Sequence, residues 1–157
     1  MLPLTPRDMT APDAKVRAKA YFEWFVQTRE ERVEELLRQL RVTKDDSAQE
    51  LLRAFGLLLN DPHYWNDGKL SAQGIAACRD FGTLLGGMLI SRHPTLCWHF
   101  NDSRYKDDVY LWRPVISGFK GGVFEPVMFL LGQARDLRSG RFERSDQVFG
   151  YWDRLAS

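Results

Sequence analysis

The sequence predicts an α+β fold, with a helical N-terminal half, a short antiparallel sheet of two to three strands, and C-terminal helices. Three observations lead there. Apolar residues recur at helical spacing between residues 13 and 92. From Leu96 the pattern changes to alternation, the period of a strand. At Glu125-Pro126 a helix-opening signal restores the helical spacing, and strands set between runs of helices read as α+β. The 157 residues suit one domain. Residues 1–12, with three prolines, read as a flexible lead-in, and residues 13–157 as a single α+β domain.

The elements follow in order. The spacing predicts a first helix over 13–27, opened by Thr10-Ala11-Pro12, with Ala18, Tyr21, Phe22 and Phe25 at i, i+3, i+4, i+7. Thr28 and Glu31 match a capping box, which opens a second helix to about Arg41. Val33, Leu36, Leu37 and Leu40 form its stripe, and Glu34 and Arg38 are spaced for an i, i+4 pair on its charged face. Ser47 and Glu50 make a second box ahead of a third helix that buries Leu51, Leu52, Phe55, Leu58 and Leu59. Asn60-Asp61-Pro62 stops it, and Asp67-Gly68 marks a turn. Ser71 caps a fourth, central helix that ends before His93-Pro94. Gly74, Cys78, Gly82 and Gly86 recur every fourth residue on it. Each glycine costs about 1 kcal/mol of helix propensity against Ala, so close approach of another element must offset it.

Residues 96–101 then read as one strand and 109–112 as its hairpin partner, across a polar connection. Pro114 marks a strand end, a bulge or an edge. Residues 115–119 suit a third strand, closed by Lys120-Gly121-Gly122. A helix from Glu125-Pro126 ends at Ser139-Gly140, and Ser145 caps a last one carrying Val148, Phe149, Trp152 and Leu155.

Composition narrows function. With 22 Lys+Arg against 21 Asp+Glu, the net charge of +1 lacks the basic excess of a general nucleic-acid binder. The 13% aromatic content excludes intrinsic disorder. The start of the chain has no basic segment followed by an apolar run, and the longest apolar stretch, 81–90, is too short to span a bilayer. Two cysteines, Cys78 and Cys97, fit buried free thiols better than a secreted scaffold. These features predict a cytoplasmic protein with neither nucleic acid nor membrane as its partner.

No constellation demands an enzyme. Cys97 and His99 share a strand face, but zinc needs three or four ligands at a recognisable spacing. Neither a serine elbow nor a family-type cysteine motif occurs. Gly118-Phe119-Lys120-Gly121-Gly122 lacks the order of a phosphate loop and reads as a tight turn. Asp45-Asp46 and Asp107-Asp108 are ordinary loop acids. The sequence therefore calls for no metal, cofactor or catalytic residue.

Surface loops remain. Asp102, Arg104, Tyr105, Lys106, Asp107 and Asp108 lie in a connection longer than a tight turn requires. His63, Tyr64, Trp65 and Asn66 form a second loop, whose Tyr and Trp either face a partner or fold back on the core. Arg and aromatic side chains are the usual anchors of protein interfaces.

Phe81-Gly82-Thr83-Leu84-Leu85-Gly86-Gly87, then Trp98, then Arg113-Pro114 and Phe124-Glu125-Pro126, resemble small bacterial α+β proteins of unknown function, some of them immunity proteins of toxin–immunity pairs. The resemblance covers residues 71–150 and carries no catalytic residues. It implies an immunity-type binding protein that neutralises a cognate bacterial toxin by direct contact, with the two loops as contact sites. Immunity proteins against nucleases are often acidic, so the neutral charge fits a toxin of another kind. The alternative is a small-molecule-binding domain or small enzyme with a pocket near Cys97 and His99. A weaker third is a subunit of a larger assembly, joined through the charged face of the second helix.

Overall fold

A computed structural model describes residues 1–156. Its elements are helices α1 (Ala14–Gln27), α2 (Arg29–Leu40) and α3 (Ala48–Leu58), a small hairpin of β1 (Trp65–Asn66) and β2 (Lys69–Leu70), and helix α4 (Ala72–Arg92). There follow a sheet of β3 (Cys97–Phe100), β4 (Pro114–Phe119) and β5 (Gly122–Phe124), and helices α5 (Pro126–Arg138) and α6 (Glu143–Ala156). The α+β order expected from the sequence is present, as two antiparallel sheets of two and three strands.

Helix α4 is the axis, packed by α2 and α5. Its small residues let α5, β3 and the segment before β1 approach closely. A Cβ on Gly74 would lie 2.3 Å from the Tyr64 carbonyl oxygen, one on Gly82 3.0 Å from Val127, and one on Gly86 2.5 Å from the Trp98 ring. Cys78, on the same stripe, is fully buried. The Ser71 hydroxyl accepts from the Gly74 N–H at 3.1 Å and caps the helix. At its far end His93 Nε2 lies 2.8 Å from Asp153 of α6.

The main core centres on Phe55 of α3 stacked on Phe81 of α4, ring centroids 4.3 Å apart. A smaller cluster of Tyr21, Phe25 and Val127 attaches α1, with Trp98 packed between the two.

Four local expectations are corrected. The capping box at Thr28 does not form. Its hydroxyl donates to the Trp24 carbonyl at 2.8 Å and accepts from Arg32 Nε at 2.9 Å, so it is held by the preceding helix, and α1 passes into α2 with one residue between. Arg38 pairs with Glu35, at i, i+3, rather than with Glu34. Residues 109–112 form a turn, not a strand, and the partner of β3 begins at Pro114, with Trp98 opposite Ile116. The cause is local: Tyr110 N–H donates to the Asp108 carboxylate at 2.9 Å, and Leu111 N–H to the Asp108 carbonyl at 3.0 Å. Ser145 is no cap, because α6 starts at Glu143 and buries Ser145 in its first turn. By contrast, the box at Ser47 and Glu50 is complete.

One turn matches its chemistry, and a second extends the sheet. Asp67 and Gly68, at φ 51° and 75°, close the β1–β2 hairpin as a two-residue turn with both residues left-handed. Lys120 and Gly121 join β4 to β5, so residue 122, expected to close the third strand, opens a further one.

Candidate functional site

The connection between β3 and β4, residues 101–113, presents most of the predicted contact residues. Asn101 organises it. Its side-chain amide donates to the Tyr110 carbonyl at 2.9 Å and to Asp108 at 3.2 Å, and its backbone pairs with Trp112 and Arg113. Asp108 is turned inward by these bonds. Asp102, Arg104, Tyr105, Lys106 and Asp107 stay exposed. Arg104 lies over the Tyr105 ring at 4.9 Å and donates to its hydroxyl at 2.8 Å, so the two side chains stand as one unit. Tyr105 is 58% exposed and Val109 71%. Lys15 reaches Asp102 at 3.0 Å and Phe22 meets Phe100, so the outer face of α1 borders this loop.

The second predicted loop divides. Tyr64 is buried, and Trp65 lies under Arg138 at 4.6 Å while its indole N–H donates to the Leu59 carbonyl at 2.6 Å. Both fold back on the core, leaving His63 and Asn66 at the surface. His63 Nδ1 lies 2.7 Å from Asp61, whose carboxyl is held below its ordinary range by hydrogen bonds from His63. Among the described residues, no hydrogen bond, ion pair or ring contact joins this loop to residues 101–108.

A groove of about 840 Å³ opens between α2, α4 and the start of β3. Val33, Leu84, Met88 and Leu96 line its floor, with Arg29, Glu30 and Asp45 at its rim. Cys97, expected from the sequence to be buried, is exposed on the solvent-facing side of β3 and lines the groove, its thiol 3.5 Å from the Ser117 hydroxyl; His99 is exposed on the same strand face but is not part of the lining. The other thiol, Cys78, is pushed up to about 12 by burial, which makes it inert. Among the described residues, no three His, Cys, Asp or Glu side chains gather as metal ligands would. No helix there is long and apolar enough to cross a membrane.

The sequence reading missed a buried polar cluster at the α1–α2–α4 junction. Arg32 donates to Asp80 at 2.7 Å, to Thr83 at 3.1 Å and to the Phe25 carbonyl at 2.7 Å. Arg79 donates to the same Asp80 at 2.8 Å and to the Met1 carbonyl, and both guanidinium groups lie about 5 Å from the Trp24 ring, Arg32 at 5.0 Å and Arg79 at 4.9 Å. Beside them Glu125 caps α5 through the Met128 N–H, with its other oxygen 3.9 Å from Arg113 and without a hydrogen bond. Burial pushes the Glu125 carboxyl up to about 7, against the pull of Arg113. Burial also raises Tyr21 to about 12, so its hydroxyl stays neutral beside three arginines. A sequence trace did exist. Arg79-Asp80 interrupts an otherwise apolar helix, and charges there must be paired.

No protein family model, curated protein or solved structure matches this chain.

Proposed function

We propose that the protein is an immunity-type binding protein, which neutralises a cognate bacterial toxin domain by direct contact, with residues 101–113 as its principal contact loop. One observation carries this reading. The Arg104–Tyr105 pair is exposed, yet pre-ordered by its own contact and by the Asn101 hydrogen bonds below it. An Arg and an aromatic held against each other lose less entropy on docking than free side chains, and such residues dominate interface energetics. His63 and Asn66 are offered as secondary contacts, whereas Tyr64 and Trp65 are not.

The test is co-expression with candidate toxin domains taken from the genes on either side of this one. Growth should be restored and a one-to-one complex should elute in size-exclusion chromatography. Replacing Arg104 and Tyr105 by Ala should weaken that complex by about 30-fold, the scale of a hot spot of about 2 kcal/mol. Unchanged affinity removes this loop from the reading, and failure to restore growth with the wild-type chain removes the reading itself.

A second reading rests on the groove. Its volume falls within the range of small-molecule sites, roughly 300–1,000 Å³. It supports a small-molecule-binding domain with Cys97, though not His99, in the lining. A bound metabolite in native mass spectrometry of the protein from its host would favour this second reading.

A further inference from the structure

The buried cluster has more positive charge than its carboxylates balance. Three guanidinium groups, of Arg32, Arg79 and Arg113, face two carboxylates, of Asp80 and Glu125. The side chains of Arg32 and Arg79 are each 9% exposed, and that of Glu125 is fully enclosed. Charges so placed need partners, since water is not there to solvate them.

The three arginines are not equally served. Arg32 donates four hydrogen bonds, to Thr28, Asp80, Thr83 and Phe25. Arg79 shares Asp80 with it, and its other hydrogen bond goes to a neutral main-chain carbonyl, that of Met1. Arg113 has a buried Nε with no hydrogen-bond partner, facing the equally unpartnered oxygen of Glu125. Trp112, next to Arg113, sits at φ 59°, a conformation that bulky residues rarely adopt and that recurs where a side chain must be aimed.

What covers the cluster is lightly held. None of residues 1–12 is buried. Pro3, Leu4 and Met9 close over Tyr21, Trp112 and Arg113 around a crevice of about 10 Å³, room for about one water. A segment with so little buried surface opens at small free-energy cost.

We propose that residues 1–4 are a strap over an oxyanion site, in which a carboxylate replaces the Met1 carbonyl on the Arg79 guanidinium while Arg113 and Arg32 supply the surrounding positive field. The exchange is chemically downhill at the arginine. A charged acceptor forms a hydrogen bond roughly twice as strong as a neutral carbonyl, and a guanidinium can bind a carboxylate through two parallel N–H donors. The costs are desolvating the carboxylate, which enters the intrinsic affinity, and opening the strap, which reduces the observed affinity by the open fraction. The carboxylate comes either from a free small acid or from an acidic side chain of a partner protein.

The experiment follows the arginine Nε–H resonances of the ¹⁵N-labelled full chain during titration with malonate, and separately with a capped Gly-Glu-Gly peptide. The Arg79 resonance, assigned with Arg79→Lys, should shift saturably with at least one of them. Pro3→Gly/Leu4→Ser, which weakens the strap without touching a buried residue, should tighten that binding at least tenfold. Saturation by malonate alone assigns the site to a free acid, and comparable binding of the peptide assigns it to an acidic side chain. If neither probe moves Arg79, or if the strap variant binds no more tightly than the wild type, the proposal is overturned. Because the readout is the Arg79 resonance, Arg79→Lys need not bind for the test to be decided.

Discussion

Glu125 is the residue whose protonation departs furthest from its ordinary range among the carboxylates, because it is enclosed beside Arg113 without a hydrogen bond to it. Its pKa is about 7 in the fold against an ordinary value of 4.5. Between those values the folded state holds a proton that the unfolded chain releases. The stabilising contribution is therefore fully present below about pH 4.5 and lost as pH rises to about 7. The loss should amount to about 3 kcal/mol over that window, at 1.36 kcal/mol per unit. Urea denaturation from pH 4.5 to 8 should show that slope, and Glu125→Gln, which keeps an oxygen for the Met128 N–H, should flatten it. Glycines give a second contrast. A Cβ at Gly56 would lie 2.2 Å from the Leu137 carbonyl oxygen, so Gly56→Ala should destabilise by about 1–3 kcal/mol. Gly87 has nothing within 4 Å, so Gly87→Ala should stabilise the exposed turn of α4 by about 1 kcal/mol. Thermal denaturation of the two variants checks both signs. Only part of this was legible in the sequence. The i, i+4 spacing exposed Gly74, Gly82 and Gly86, but Gly56 faces α5, about 80 residues away in the chain, and nothing local records that contact.

Elements were legible where their cause is local. The stripes of α1 to α4, the Ser47 and Ser71 caps and the Asp67-Gly68 turn all depend on residues a few positions apart. The β3–β4 hairpin shows where this stops. Residues 109–112 alternate as a strand does, yet Asp108 captures the following backbone in a turn. Asx-type hydrogen bonding competes with a ladder, and here it wins. Thr28 failed as a cap for a related reason, because its hydroxyl was already engaged by Trp24 and Arg32. For the candidate loop the same chemistry is useful. Asn101→Ala removes two side-chain hydrogen bonds that hold residues 101–110 together. It should cost about 1–2 kcal/mol and speed amide hydrogen exchange within the loop, while protection in α4 falls no further than the global loss requires. Uniform acceleration across the chain would show that Asn101 supports the fold rather than the loop.

At the scale of the molecule, hydrophobic patterning accounts for the main core but not for how α1 is attached. Its buried cluster holds three residues, Tyr21, Phe25 and Val127. Beside it and its partly buried apolar neighbours lies a polar attachment that converges on Asp80, which lies 48 positions from Arg32 in sequence and pairs with both Arg32 and Arg79. Arg32 in turn donates to the Phe25 carbonyl at the end of α1 and to the Thr83 hydroxyl on α4. One carboxylate thus pairs with two guanidinium groups that join three helices. Removing its charge leaves both cations in a poorly solvated site, and breaking a buried pair from one side costs about 3–5 kcal/mol. Asp80→Asn should destabilise by about that amount. The pair's own net worth is a different quantity, since ion pairing offsets a large desolvation penalty. Replacing Arg32, Arg79 and Asp80 together by apolar residues of similar size should therefore recover much of the stability lost by Asp80→Asn alone. Denaturation midpoints of the two proteins decide it. A triple variant less stable than Asp80→Asn would mean that the cluster's hydrogen bonds to Phe25 and Thr83, rather than its charge balance, hold α1 in place.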